Sequence, residues 1–274
     1  MSIDNVIKSI AKEPKKNEGD YIGKDGLLYC GKCHTKKQVR VELHDGKVIT
    51  PRCLCKCELE KLAQREAEQK QREHILEVER YRSVGFADKE LKNCTFENSD
   101  NADLQATKAA KRYVENFSDF RKIGKGLMFY GGVGTGKTFL ASAIANALIE
   151  NCIPCLVTNF TRITNKLQGT FEGKQEYMDS LNKFALLVID DFGMERNTEY
   201  MNEIVYNVID SRYRSGKPLI VTTNLTLQDL QNPDSIDKER IYSRITEMCV
   251  PIRVEGKDRR LEPKDGDIMA KLFK

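Results

Sequence analysis

Residues 131–138 read GGVGTGKT, four glycines, a valine, two threonines and a lysine in the order that cradles a polyphosphate. Glycines at these positions let the backbone curl until its N–H groups point inward at phosphate oxygens. A helix that opens at the loop would add the positive potential of its N-terminus. Backbone from Gly132, Val133, Gly134, Thr135 and Gly136 would wrap the phosphates, Lys137 would reach the β- and γ-phosphates, and the Thr138 hydroxyl would bind Mg²⁺. Phe139 follows in the first helical turn. The ligand this chemistry fits is ATP.

A second run, LLVIDD (186–191), buries four apolar residues and delivers two acids at its end. On that reading Asp190 holds the Mg²⁺ shell and Asp191 polarises the attacking water as a general base. Downstream, PLIVTTN ends in Asn224, placed to orient water beside the γ-phosphate. Adjacent acids followed by such a strand point to the P-loop class with an extra strand between the loop strand and the acid strand. A GTPase fits worse, because the string Asn165-Lys166-Leu167-Gln168 lacks the guanine-reading Asp and comes too early. A small-molecule kinase would need an Arg-rich lid, which is not evident.

Five of the nine cysteines fall between Cys30 and Cys57, as Cys30-x-x-Cys33 and Cys53-x-Cys55-x-Cys57. A two-residue gap lets two thiolates from one turn grip one ion, and a second pair some twenty residues on completes a tetrahedral Zn²⁺ site. On spacing alone, five sulfurs compete for four places.

These groups need elements to hold them. From residue 85 onward, strands and helices alternate: GLMFY (126–130), a helix over 137–150, CLVT (155–158), two helical stretches, ALLVIDD (185–191), a helix through Met201, Ile204, Val205, Val208 and Ile209, PLIVTTN (218–224) and VPIRV (250–254). Such alternation predicts an α/β fold, a parallel sheet flanked by helices. Residues 58–82 carry no glycine or proline and predict one long, solvated helix. The division expected is therefore a zinc-binding domain over 1–57, a charged helical linker over 58–84 and an ATPase domain over 85–274. A net charge of +4 gives weak support for nucleic-acid binding without a local patch. No apolar run is long enough to span a membrane, and a signal-type core is missing at the start, so a cytoplasmic protein is expected.

GGVGTGKT, LLVIDDFG, VTTN and ERIYSRI, in that order and spacing, resemble the AAA+ replicative helicase loaders of the DnaC/DnaI type and the related IstB transposition ATPases. The resemblance covers roughly residues 85–260, and the cysteine-bearing segment is similar to the N-terminal part of phage-encoded and DnaI-like loaders. It implies a zinc set of Cys30, Cys33, Cys55 and Cys57, with Cys53 in reserve. Arg244 matches the arginine finger that enters a neighbouring subunit's ATP site, with Arg240 as second candidate. The pair Arg259-Arg260 matches the position of the second sensor arginine, with Arg259 favoured and Arg260 as the alternative. The insertion 159–184 would meet single-stranded DNA through Arg162, Lys166 and Lys174, with Phe160, Phe171 and Tyr177 packing or stacking. The implied function is ATP-dependent loading of a hexameric replicative helicase, by a homo-oligomeric ring or spiral when ATP is bound, with slow, partner-stimulated hydrolysis. Alternatives are an IstB-like transposition helper and a nucleotide-gated adaptor with little turnover.

Overall fold

The computed structural model describes residues 16–99, 105–169, 173–195 and 198–258. They fall into two compact units, Met1–Ile75 and Leu76–Lys274.

The first unit is built from two short hairpins. Strand β1 (Tyr21–Ile22) pairs antiparallel with β2 (Leu28–Tyr29), and β3 (Val41–Glu42) with β4 (Val48–Ile49). Two-residue strands bury little, and Ile22 and Val48 remain exposed. At the centre lies a buried ion pair, Lys37 Nζ to Asp20 Oδ2 at 2.6 Å. A unit with so small an apolar core needs another staple.

Helix α1 (Lys56–Gly85) is rich in Glu, Gln, Lys and Arg, all good helix formers. Bonds from Gln64 to Glu68 and from Gln69 to Glu73 support it at i,i+4 spacing. Its last third is not a solvated linker. Val78 is buried in the core of the second unit, Tyr81 packs against the same cluster, and Arg82 pairs with Glu150.

The second unit continues through a 3₁₀ turn (Glu90–Asn93), α2 (Gln105–Glu115), α3 (Phe117–Lys122), β5 (Gly126–Tyr130), α4 (Lys137–Glu150), β6 (Cys155–Thr158), α5 (Phe160–Gln168), α6 (Lys174–Leu181), β7 (Leu186–Phe192), α7 (Glu199–Arg214), β8 (Leu219–Thr223), α8 (Leu227–Gln231), α9 (Ile236–Met248) and β9 (Cys249–Arg253). Its sheet runs β6-β7-β8-β5-β9, with every pair parallel. Strand β8 therefore lies between the loop strand β5 and the acid strand β7, as the adjacent-acid pattern predicts.

Leu186–Ile189 and Leu219–Val221 are inaccessible to solvent, which explains their unbroken apolar runs. One face of the sheet packs on α2 and α4, the other on α5, α7 and α9. Each fully buried aliphatic side chain contributes about 1.5–3 kcal/mol. The buried Arg212 guanidinium donates to the carbonyls of Phe184, Ala185 and Pro218, tying together the entrances of β7 and β8. Parallel strands in this order bring the C-terminal ends of β5, β7 and β8 to one edge. Among the described residues no helix is long and apolar enough to cross a membrane.

Candidate nucleotide-binding site

The loop after β5 enters α4 through Gly136 at φ 98°, a left-handed conformation that a side chain would strain. No side chain caps α4, so its first N–H groups stay directed at whatever fills the loop. Lys137 is buried and curls back, donating to the carbonyls of Gly131 at 3.0 Å and Gly132 at 2.6 Å. Thr135 Oγ1 braces the turn by donating to Gly132 O at 3.0 Å. This is a preformed, positively polarised cradle for phosphate. Phe139 sits in the first turn of α4, beyond Thr138.

Thr138 Oγ1 donates to Asp190 Oδ1 at 2.9 Å. Thr222 Oγ1 donates to the same carboxylate oxygen at 2.5 Å. Burial pushes the Asp190 carboxyl above its ordinary range, while the two hydroxyl bonds pull it down. A hydroxyl and a carboxylate at this separation form an all-oxygen pair that suits magnesium.

Asp191 is aimed elsewhere. The pairing of β7 with β8 slips between Ile189 and Phe192, and Asp191 takes φ 53°. This bulge turns its carboxylate to solvent, while its N–H donates to Thr222 Oγ1 at 3.0 Å. Thr222 thus touches both acids, a role that its place in VTTN gives no cause to single out. Glu195 is a second residue missed in the sequence. It accepts from Gly193 N at 2.8 Å, and burial raises its carboxyl pKa.

Asn224 lines a cavity of about 680 Å³ with Gly131, Gly132, Val133 and Thr135. The end of β9 and the chain after it form the far wall through residues 253–256, and that chain crosses the loop, where a side chain at Gly134 would collide with the Asp258 carboxylate. Arg259 lies outside the described residues.

Arg244, on α9, is 24% exposed and pairs with Asp210 Oδ1 at 2.6 Å, its guanidinium stacked 4.7 Å from the Tyr206 ring. Arg240 lies along the same groove. In the insertion, Arg162 is paired with Asp88 at 2.6 Å and Lys166 lies over the Tyr177 ring. Lys174 lines a cavity between α6 and α7. Phe160 is buried in the core, so it packs and cannot stack on a base. Phe171 lies outside the described residues.

In the first unit, the sulfurs of Cys30, Cys33, Cys55 and Cys57 all lie within 4.8 Å of one another. Cys30 and Cys33 flank a turn closed by His34 N donating to Cys30 O at 2.9 Å, with His34 at φ 56°. Cys57 stands in the first turn of α1, whose start is fixed by Glu58 accepting from Cys55 N. Cys53 points away, toward Lys36 O. The Thr35 hydroxyl bond holds the Cys33 thiol down at about 5, while burial pushes Cys55 up to about 12. Four sulfurs at this spacing fit one tetrahedral ion about 2.3 Å from each.

A sequence model of the family described as IstB-like ATP binding protein matches residues 55–266. A replicative helicase loader DnaC of Buchnera aphidicola is 32% identical over 161 residues, covering 56% of this chain and 63% of that protein. The replicative helicase loader DnaI of Bacillus subtilis is 25% identical over 190 residues, covering 64% and 61%. The chain thus spans about three fifths of the length of these relatives. A crystal structure of DnaI superposes with a TM-score of 0.55 at 25% identity, over 66% of this chain and all of that one. One of the DnaC helicase loader gives 0.54 at 26%, over 61% and all of that chain.

Proposed function

We propose a function from one premise: the chain belongs to the IstB-like ATP-binding protein family. We infer that it is an AAA+ ATPase of slow turnover that loads a hexameric replicative DNA helicase, as proteins named DnaC and DnaI are described as doing. The observation that carries the reading is the joint hold of Thr138 and Thr222 on Asp190 beside the glycine loop. It supplies a phosphate cradle and a magnesium seat at one sheet edge.

Backbone N–H groups of residues 132–136 and the α4 N-terminus would bind the β- and γ-phosphates of ATP. Lys137 would leave the loop carbonyls and donate to phosphate oxygens. Thr138 and Asp190 would hold magnesium, which would neutralise charge on the phosphates when bound. Asn224 would orient the attacking water. As the water oxygen bonds to the γ-phosphorus and the bond to the bridging oxygen breaks, Asp191, turned from solvent toward the site, would take the water's proton. Arg244 would act on a neighbouring subunit's site, within a ring or spiral of copies, and Arg259 would sense the γ-phosphate of its own.

The first unit, centred on residues 1–57, would be a zinc module that docks on the helicase. Cys30, Cys33, Cys55 and Cys57 would hold Zn²⁺, supplying the stability that its small core lacks. Residues 58–84 would join it to the ATPase domain, 85–274. Lys174 and Lys166 would meet the single-stranded DNA backbone, and Arg162 would join them only by leaving Asp88. All this would take place in the cytoplasm of a bacterium or a phage-infected cell.

The test is capture of the purified replicative helicase of the bacterial host by the full-length protein with MgATP, alongside phosphate release with and without single-stranded DNA. Capture, with turnover abolished by Lys137→Ala, supports the reading. Absence of capture from an ATP-competent preparation overturns it.

A further inference from the structure

Arg244 can serve a neighbouring site only if its long side chain is held in one direction. Three groups fix it. The Asp210 carboxylate, 6% exposed, forms an ion pair with it, Oδ1 to Nη2 at 2.6 Å. The Tyr206 ring lies under the guanidinium at 4.7 Å, and the Tyr213 ring flanks it at 5.8 Å. Tyr213 is itself anchored, its hydroxyl donating to both carboxylate oxygens of Glu247 at 3.0 and 3.1 Å.

Asp210 is unusual in its placing. It is buried on α7, one turn after Tyr206, and its other oxygen pairs with Arg214, which is 74% exposed. A buried carboxylate is costly unless paired, and this one is paired with two arginines. Meanwhile Arg244 Nη1 is buried and has no hydrogen-bond partner among the described residues. Asp210 Oδ1 likewise makes no directed hydrogen bond among the described residues, so the two meet as an ion pair whose hydrogen bonding is incomplete in the single chain.

We propose that Asp210 is the positioning residue of Arg244: its charge, with the Tyr206 ring, pre-sets the guanidinium that reaches the ATP site of a second copy of this chain. This rests on the reading of Arg244 as a residue acting between subunits. Asp210 touches neither nucleotide nor water and acts only through Arg244. The benefit is orientation, since a flexible arginine would have to be ordered in every catalytic cycle. Arg214 uses the same carboxylate without sharing the task.

The experiment is phosphate release from MgATP by the full-length protein at concentrations where it self-associates, with nucleotide binding measured in parallel. Asp210→Asn should lower kcat about tenfold with ATP affinity unchanged, because its own pocket is intact. Asp210→Glu should recover part of the loss, and Arg214→Ala should turn over as the parent does. Mixing Asp210→Asn with Lys137→Ala should restore turnover, since the Lys137→Ala copies bring an intact Asp210–Arg244 pair to their neighbours' sites. Mixing it with Arg244→Ala should restore none. Parent-like turnover by Asp210→Asn, while Arg244→Ala is impaired, overturns the positioning role and leaves the reading of Arg244 standing. Parent-like turnover by Arg244→Ala overturns both. Failure of the Lys137→Ala mixture to rescue means that Asp210 damages its own chain's site, and that too overturns the proposal.

Discussion

Thr138 and Asp190 lie 52 residues apart in the chain and share a hydrogen bond of 2.9 Å, hydroxyl to carboxylate, at the mouth of the phosphate loop. The bond crosses from α4 to β7 over the intervening β8 and fixes the spacing of the two oxygens that, on the proposed reading, would hold magnesium. Asp190→Asn should therefore lower turnover about a hundredfold or more, through loss of a full negative charge at the cation seat. ADP binding without magnesium should stay near that of the parent. Nucleotide titrations with and without magnesium would check this, and equal losses in both would mean that the pocket itself had collapsed.

Thr222→Val removes a hydroxyl that donates to Asp190 and accepts from the N–H of Asp191. Hydrogen bonds to charged groups contribute about 1.5–3 kcal/mol, so turnover should fall by roughly ten- to a hundredfold. The side chain is buried, and valine leaves the Asp191 N–H without its acceptor, so the melting temperature should fall by a few degrees as well. Phosphate release and thermal melting of the same preparation would separate the two effects.

The strands and the loop were readable from sequence because Leu186–Ile189 and Leu219–Val221 are buried on both faces, and such runs have few other uses. Convergence of Cys30, Cys33, Cys55 and Cys57 was readable from spacing and resemblance, since a tight turn fixes one pair and the start of α1 fixes the other. The partners of charged residues were not. Nothing in the local pattern around Arg162 or Arg244 names Asp88 or Asp210, because those meetings are made by the packing of distant elements. The slip at Asp191 was equally hidden, since a bulge inserts one residue without altering the apolar run before it.

If the four converging thiols hold one ion, the full-length protein should carry one zinc per chain. Cys53→Ser should keep it, because that sulfur points toward Lys36 O. Cys55→Ser should lose it, and with it the fold of residues 16–57, since metal binding of about 10–16 kcal/mol is folding energy in modules this small. Elemental analysis with amide exchange at Leu27 and Leu28 would check both. Equal zinc content in the two variants would reassign the ligands.

Acid should act on the first unit through Asp20. The Lys37 ammonium, by hydrogen bonding to it, holds this carboxyl at about 2, against an ordinary 3.8. A depressed carboxyl stabilises the fold at pH above the unfolded value, and the contribution fades as pH falls from about 4 toward 2. Asp20→Asn should be less stable than the parent at neutral pH, and the gap should narrow across that window. Amide exchange of the two at each pH, with zinc content measured in parallel, would check this. A gap of constant size would show that the ion pair does not drive the difference.

The left-handed kink at Asp191 gives two neighbouring carboxylates separate audiences, one facing the cradle and the other facing water. On the proposed reading, holding a nucleotide and consuming it would fall to different sides of a single peptide unit. A molecule organised in this way would wait, fully charged, until a small rotation of backbone or the approach of another body completed the second task. Timing, in such a design, would be stored in one residue's torsion angle.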